Sequence, residues 1–198
     1  MTTTTIRRAL ADQRGQSIVE FAIVMPLFLI VVLGIVEVSY ALVDQHVTTR
    51  VTREGSNLIS RDTPLAEAAI AVQAMTSRPL NFNDGTSKLI FSVLKRGETV
   101  GTANYNQVFV YQRYEFGSYP GATKLQTRGA GSFGGPDHQA VNSDSNTGLQ
   151  LTSGPPNIIG VPGGLIYVTE IYTRHQLITP LDRLGIRVPE TLYSIAYF

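Results

Sequence analysis

A glutamate stands near the start of the most apolar stretch of the chain. The stretch is RGQSIVEFAIVMPLFLIVVLGIVEV, residues 14–38, and its early carboxylate is Glu20. A carboxylate at membrane depth costs about 2.5–3.5 kcal/mol on insertion scales, so such a group marks a candidate functional site. The chemistry expected of Glu20 is therefore pairing with a partner that offsets its desolvation.

Two further patterns suggest chemistry but lack the context that it requires. Residues 129–134, GAGSFG, match a dinucleotide-binding loop letter for letter, but no convincing helix follows them. His138 beside Asp137 could be a base and its orienting carboxylate, but no motif places a nucleophile. His46 and His175 are predicted to be equally isolated. We therefore expect neither nucleotide binding nor catalysis by an enzyme.

A third pattern imitates a calcium loop. Asn142, Asp144 and Asn146 alternate as the first ligands of such a loop do. The positions that need glycine and a bidentate glutamate hold Thr147 and Ser153 instead. We expect a solvated turn here, with no metal and no cofactor.

Composition narrows the possible functions. The chain has 198 residues, of which 16% are charged, and its net charge is +1. This balance provides no basic field for nucleic acid, so no nucleic-acid partner is expected. Cysteine is absent, which excludes disulfides, thiol nucleophiles and thiolate metal sites.

One helix long enough to cross a membrane surrounds Glu20. Residues 21–36 are uncharged, and continuing to residue 43 gives a stretch of roughly 35 Å, against a hydrocarbon core of about 30 Å. The preceding residues carry a net side-chain charge of +2, from Arg7, Arg8, Asp12 and Arg14. The positive-inside rule therefore predicts a single pass with a cytoplasmic N-terminus.

Three other interpretations of the apolar stretch stay open. A secretory signal could be cut after Ala41, because residues 39–41 offer small side chains at suitable positions. The stretch could be an uncleaved anchor, or the buried helix of a soluble protein. None of the three explains Glu20.

The residues around Glu20 resemble a known processing site. Arg14-Gly15, then QSIVEF and an apolar helix with Pro26, resemble the processing region of type IV prepilins, most closely TadE-like minor pilins or pseudopilins of tight-adherence (Tad/Flp) pili. In that group a basic leader ends in glycine, a prepilin peptidase cuts after it, and glutamate is the fifth mature residue. Glu20 holds that position here, and the similarity continues to residue 61.

The resemblance implies a role for each residue of this site. Residues 1–15 are a leader removed by cleavage between Gly15 and Gln16, and Glu20 and Phe21 serve assembly. The amine released at Gln16 of one subunit meets Glu20 of the next, and pairing offsets the desolvation of both charges. The implied partners are the prepilin peptidase, other pilins or pseudopilins, the assembly platform and membrane lipid.

A second carboxylate and an apolar stripe lie further along the same helix. Glu37 lies about 25 Å beyond Glu20 along the axis, near the opposite membrane interface. We predict an interfacial carboxylate, with a second intersubunit contact as the alternative. Spacings of three and four residues predict a stripe that packs on the globular domain, formed by Val43, Val47, Val51, Glu54 and Leu58.

The predicted fold class is α+β. A long membrane-spanning and stalk helix, residues 16–61, precedes an extracytoplasmic domain, residues 62–198, with a helix and an antiparallel sheet. Thr63 is expected to cap that helix and Pro64 to open it. Period-two polarity predicts four strands at 88–96, 107–116, 165–174 and 192–198. A short capped helical turn is expected at 179–185, and a Gly/Ser/Asn-rich loop without regular structure at 117–164.

The function predicted from these features is that of a minor pilin or pseudopilin. Such a protein sits in the cytoplasmic (inner) membrane and supports assembly or initiation of an adhesive pilus; whether it enters the filament stays open. The alternative is a permanent single-pass protein whose extracytoplasmic domain binds a ligand or surface through the glycine-rich loop. A hydrolase is the third candidate.

Overall fold

The computed structural model describes residues 15–152, 160–185 and 189–198. The predicted leader, apart from Gly15, lies outside the described residues, as does its cluster of charged side chains. The chain forms two compact units. One contains residues 15–41 and 177–185, and the other contains residues 42–152, 160–176 and 189–198.

Two α-helices come first, as predicted. Helix α1 (Gln16–Ile59) contains Pro26 and is long and apolar enough to cross a membrane. None of its most apolar window, with a mean hydropathy of 2.8, is buried. Helix α2 (Leu65–Met75) starts one residue later than predicted, because Pro64 stays extended with a ψ of 138° and occupies the cap position. The assignment of Thr63 as the cap is wrong.

One antiparallel sheet follows, and it confirms the α+β class and the four predicted strands. The strands are β1 (Ser87–Arg96), β2 (Val108–Phe116), β3 (Phe133–Gly134), β4 (Gln139–Ala140), β5 (Leu165–Arg174) and β6 (Thr191–Tyr197). From edge to edge their order is β3-β4-β2-β1-β5-β6. Strands β1 and β5 pair over nine residues of β1, from Ser87 to Lys95.

The face of α1 that packs on the sheet overlaps the predicted apolar stripe only in part, because Val51 and Leu58 are half-buried against the core. Val43 is 59% exposed, and Glu54 is exposed as well. A methyl group at Gly55 would lie 3.0 Å from Thr169 Cγ2 and 3.1 Å from Phe91 Cε1, so the helix backbone runs very close to β5 and β1. Small side chains permit that approach, and the buried face consists of Thr48, Thr52, Gly55, Ser56 and Ile59.

Hydroxyl groups on this buried face have hydrogen-bond partners. Thr52 Oγ1 donates to the carbonyl of Thr48 at 2.7 Å. Ser56 Oγ donates to the carbonyl of Ala196 at 3.1 Å, which ties α1 to β6. Burying these polar groups is therefore compensated, as buried donors require.

The chain between β2 and β5 is more ordered than predicted. It contains β3, β4 and a 3₁₀ turn (Thr147–Leu149), so the prediction of a loop without regular structure is wrong for its described part. Leu125 and Leu149 are buried within it. Its backbone N–H at Lys124 donates to Glu170 at 2.7 Å, and Glu170 is fully buried on β5. The segment thus forms part of the core.

Candidate processing and assembly site

The predicted scissile bond lies at the N-terminus of α1. Gly15 occupies a turn, Gln16 is the first helical residue, and both are exposed. The Gly15 carbonyl accepts a hydrogen bond from the Val19 N–H at 3.3 Å. A methyl group at Gly15 would meet no described atom within 4 Å. Packing within the described chain therefore does not require glycine at this position.

Glu20 lies one turn beyond Gln16 and shares a hydrogen bond with it. Gln16 Nε2 donates to Glu20 Oε1 at 2.8 Å, and both side chains are exposed. An ionised carboxylate offers about four lone-pair sites, so this bond leaves capacity for another donor. Phe21 beside it is 63% exposed. The four predicted site residues thus lie together on one exposed start of a helix.

The N-terminus of α1 carries the partial positive charge of the helix dipole. Its first turn contains no acidic side chain, so the partial positive charge of the helix N-terminus lies beside Gln16 without a carboxylate in that turn. A cut at the Gly15–Gln16 bond would add the charge of a free amine at this end. The site would then present a cation and, one turn later, a carboxylate.

Glu37 has hydrogen-bond partners that the sequence analysis did not predict. It is fully buried, and its carboxylate accepts hydrogen bonds from its own chain. The Thr179 N–H donates at 2.8 Å, the Thr179 hydroxyl at 2.5 Å and the Ile178 N–H at 3.2 Å. Glu37 is therefore an internal acceptor, and its predicted place near the membrane interface and the alternative of an intersubunit contact stay predictions.

The Glu37 contact lies just before a short helical turn that the sequence predicted. A 3₁₀ turn (Pro180–Leu184) has Thr179 at its cap position and Gly185 in the left-handed region at its end. The Thr179 side chain does not cap this turn, because its hydroxyl donates to Glu37 instead. No local spacing could have revealed this contact, since its partners are separated by 142 residues.

His175 and His138 both contact other side chains of the chain. His175 is 1% exposed, and its Nδ1 lies 2.7 Å from Asp44 Oδ2, so the prediction that it is isolated is wrong. The ring of His138 packs against that of Tyr114 at a centroid distance of 4.4 Å, with the two ring planes tilted by 38°. Within the described residues, no group of three or more His, Cys, Asp or Glu side chains could hold a metal ion.

The calcium-loop-like residues and the glycine pattern at 129–134 have structural roles. Asn146 Oδ1 accepts from the Gly148 N–H at 3.0 Å, and Asp144 Oδ2 accepts from the Thr99 hydroxyl at 3.2 Å. The glycine pattern at 129–134 ends in β3 and is followed by β4, not by the helix that a dinucleotide loop needs. These side chains and turns stabilise the segment between β2 and β5.

Comparison with known families identifies one similarity. Residues 15–57 match the family model described as TadE-like protein. The matched segment contains Gly15, Gln16, Glu20 and Phe21 and nearly all of α1, and it is consistent with a protein of the Tad pilus system. The comparison with curated proteins gives no match, and neither does that with solved structures. The family match confirms the resemblance noted in the sequence.

Proposed function

Proceeding from the similarity of α1 to TadE-like proteins, we propose that this chain is a minor pilin or pseudopilin matured by a prepilin peptidase. It supports assembly or initiation of a Tad-type adhesive pilus and has no enzymatic activity of its own. The observation that carries the proposal is the exposed start of α1, where Gly15, Gln16 and Glu20 precede an exposed apolar helix.

The position of Gly15 supports processing at this bond. The bond lies outside the helix interior, and releasing the single turn that holds the Gly15 carbonyl breaks a hydrogen bond worth about 1 kcal/mol. The alternative signal-peptidase site is less accessible, because residues 39–41 lie within α1. A cut there requires unwinding the middle of a long helix.

The exposed carboxylate supports a role in assembly. Each subunit would present the amine of Gln16, and Glu20 of a neighbour would accept it within a layer of apolar helices. Pairing offsets the cost of holding either charge near the bilayer. The Gln16 side chain competes with that amine for the Glu20 carboxylate, because its Nε2 already donates to Glu20 Oε1. Other pilins or pseudopilins and the assembly platform are the partners that this role requires.

The proposal includes a membrane orientation. Helix α1 crosses the cytoplasmic membrane once, with the basic leader in the cytoplasm and the sheet on the outer side. Lipid or neighbouring helices then surround its exposed apolar side chains. Incorporation into the filament would move the same side chains from lipid to protein.

Intact mass of the membrane-extracted chain tests the processing step. With the cognate peptidase present, we expect a mature chain that begins at Gln16. Gly15→Leu should block the cut, because it places a bulky side chain at the scissile position. Gly34→Leu is the matched control, since a methyl group at Gly34 also meets no described atom within 4 Å, and it should be cleaved normally.

Two other results would contradict the proposal. A chain that begins at Leu42 would identify a secretory signal. A chain that keeps its leader beside an active peptidase would identify a permanent membrane anchor whose extracytoplasmic part binds a ligand or surface.

A further inference from the structure

One face of the apolar part of α1 is less exposed than the rest of that part. Side chains along residues 16–41 are mostly exposed, but Ile30, Leu33, Gly34 and Ala41 are half-buried and Glu37 is buried. Spacings of three and four residues place all five on the same side of a helix. The compact unit that contains this part of α1 also contains residues 177–185. The chain therefore shields one side of its own candidate membrane helix.

The segment that approaches this face, residues 177–183, is named here the collar. Its inward-facing residues, Thr179 and Leu181, are buried, whereas Ile178 is 56% exposed. The N–H groups of Ile178 and Thr179 and the Thr179 hydroxyl all donate to Glu37. A carboxylate with such donors can lie at a depth where an unsatisfied charge would be costly.

The depth of the collar follows from the helix. Glu20 and Glu37 are about 25 Å apart along α1, and the hydrocarbon core is about 30 Å thick. If Glu20 lies at the inner boundary, Glu37 and the collar lie just inside the outer one. Val38 is 54% exposed at the same level. Apolar side chains of both elements are thus open to the surroundings there.

We infer that the collar is a lipid-contacting element that lies in the outer leaflet, with Ile178 against acyl chains and Glu37 holding it on α1. Asp182 and Arg183 follow Ile178 by four and five residues and are exposed, which suits a segment that continues toward the headgroups. We take the bilayer as the occupant because the Ile178 N–H bonds to Glu37, and Val38, next to Glu37 in the candidate span, exposes its apolar side chain as Ile178 does. The inference rests on the proposed function only in taking α1 to cross a membrane.

Site-directed fluorescence measures this contact in the full chain. The chain contains no cysteine, so single labels can be introduced by Ile178→Cys, Leu27→Cys and Val100→Cys. Leu27, 64% exposed in the apolar part of α1, reports lipid, and Val100, 77% exposed in a turn after β1, reports water. Each variant is placed singly in phosphatidylcholine nanodiscs with brominated acyl chains, and iodide is the aqueous quencher.

Brominated lipid should quench the label at 178 about three times as strongly as that at 100, because the label at 178 lies within the hydrocarbon thickness. Iodide should show the reverse order. Equal behaviour of 178 and 100, with position 27 quenched by lipid, would overturn the inference while leaving the membrane span intact. Shielding of 178 from both quenchers would show that protein covers it and would also overturn the inference. A label at 27 that lipid does not quench would overturn the proposed function itself.

A second variant tests the role of Glu37 in holding the collar. Glu37→Leu, added to Ile178→Cys, removes the acceptor of the hydrogen bonds from Ile178 and Thr179, and lipid quenching at 178 should fall toward the value at 100. Val38→Leu, at the neighbouring exposed position, is the control and should leave quenching unchanged. Unchanged quenching in the Glu37→Leu chain would show that Glu37 does not hold the collar.

Discussion

The two parts of α1 differ in which side chains they expose and which they bury. Residues 16–41 are apolar and largely exposed, whereas residues 42–59 bury a face of threonine, glycine, serine and isoleucine. Contiguous exposed apolar surface is uncommon on soluble proteins and marks a surface that something else covers. The first part is therefore suited to lipid or neighbouring helices, and the second to close contact with its own sheet.

Two glycines and two glutamates show the same contrast at single positions. A methyl group at Gly34 would meet no described atom within 4 Å, but one at Gly55 would press on Thr169 and Phe91. Glu20 is exposed and keeps acceptor capacity for a neighbour, whereas Glu37 is buried and accepts from Thr179. Glycine and glutamate thus each occur on this helix once without close packing and once in close contact within the chain.

Gly55→Leu should have the largest effect, because it disrupts the contact between the second part of α1 and the sheet. Its side chain has no space between α1 and the sheet, and overpacking of this kind costs about 1–3 kcal/mol. Glu54→Leu introduces the same side chain at an exposed neighbouring position and should change stability little. Urea unfolding of the full chain in micelles, followed by circular dichroism, measures both. Equal midpoints for the two variants would contradict the close packing described here.

Ser56→Ala should have a smaller effect on the same contact. It removes the hydrogen bond to the Ala196 carbonyl, which is worth about 1 kcal/mol. Ser39→Ala is the matched control in the exposed part of α1, where the hydroxyl bonds only to the Ile35 carbonyl of the same helix among the described residues. The same unfolding measurement should separate them. A loss for Ser39→Ala as large as that for Ser56→Ala would remove the contrast between the two parts.

Alkaline pH should weaken the sheet gradually. Burial raises the pKa of Tyr193 and Tyr197 above 10.0, with the charge of Glu170 adding to the effect. The folded state therefore keeps protons that the unfolded chain loses, so stability is retained below about pH 10 and falls as the pH rises further. Tyr197→Phe should reduce this slope slightly between pH 9 and 11, a range chosen around the ordinary tyrosine pKa of about 10. If the free energy of unfolding fell equally with pH in the parent and in Tyr197→Phe, Tyr197 would not have a raised pKa in the folded state.

Much of the fold could be predicted because its signals are local. Charge-free length identified α1, and alternation of β-branched and aromatic residues located β5 at its observed bounds, Leu165–Arg174. Hydropathy predicted the packing face of α1 only in part: Val51 and Leu58 pack on the core, but proximity to the sheet selects small side chains such as Gly55 over bulky Val43. The segment between β2 and β5 was missed because turns and side-chain hydrogen bonds, not periodicity, determine its structure.

The candidate site also has a part that local sequence predicted and a part that it did not. Gly15, Gln16, Glu20 and Phe21 are close in sequence, so their common placement follows from one helix start. The bond between Glu37 and Thr179 joins residues far apart in the chain, and no local spacing encodes it. The assembly role of Glu20 stays a prediction, because it concerns a second copy of the chain.

Crosslinking between adjacent subunits in membranes tests that role most directly. A single cysteine at Leu27 reports proximity of neighbouring helices, and it is scored in the parent, Glu20→Leu and Gln16→Ala backgrounds. Glu20→Leu should be cleaved and inserted normally but should lose about tenfold in crosslinked fraction, equivalent to about 1.4 kcal/mol, because an amine is left without its carboxylate. Gln16→Ala removes a competing donor and cannot cyclise to pyroglutamate, so it should crosslink at least as well as the parent. Normal crosslinking by Glu20→Leu would show that the carboxylate is not the assembly contact.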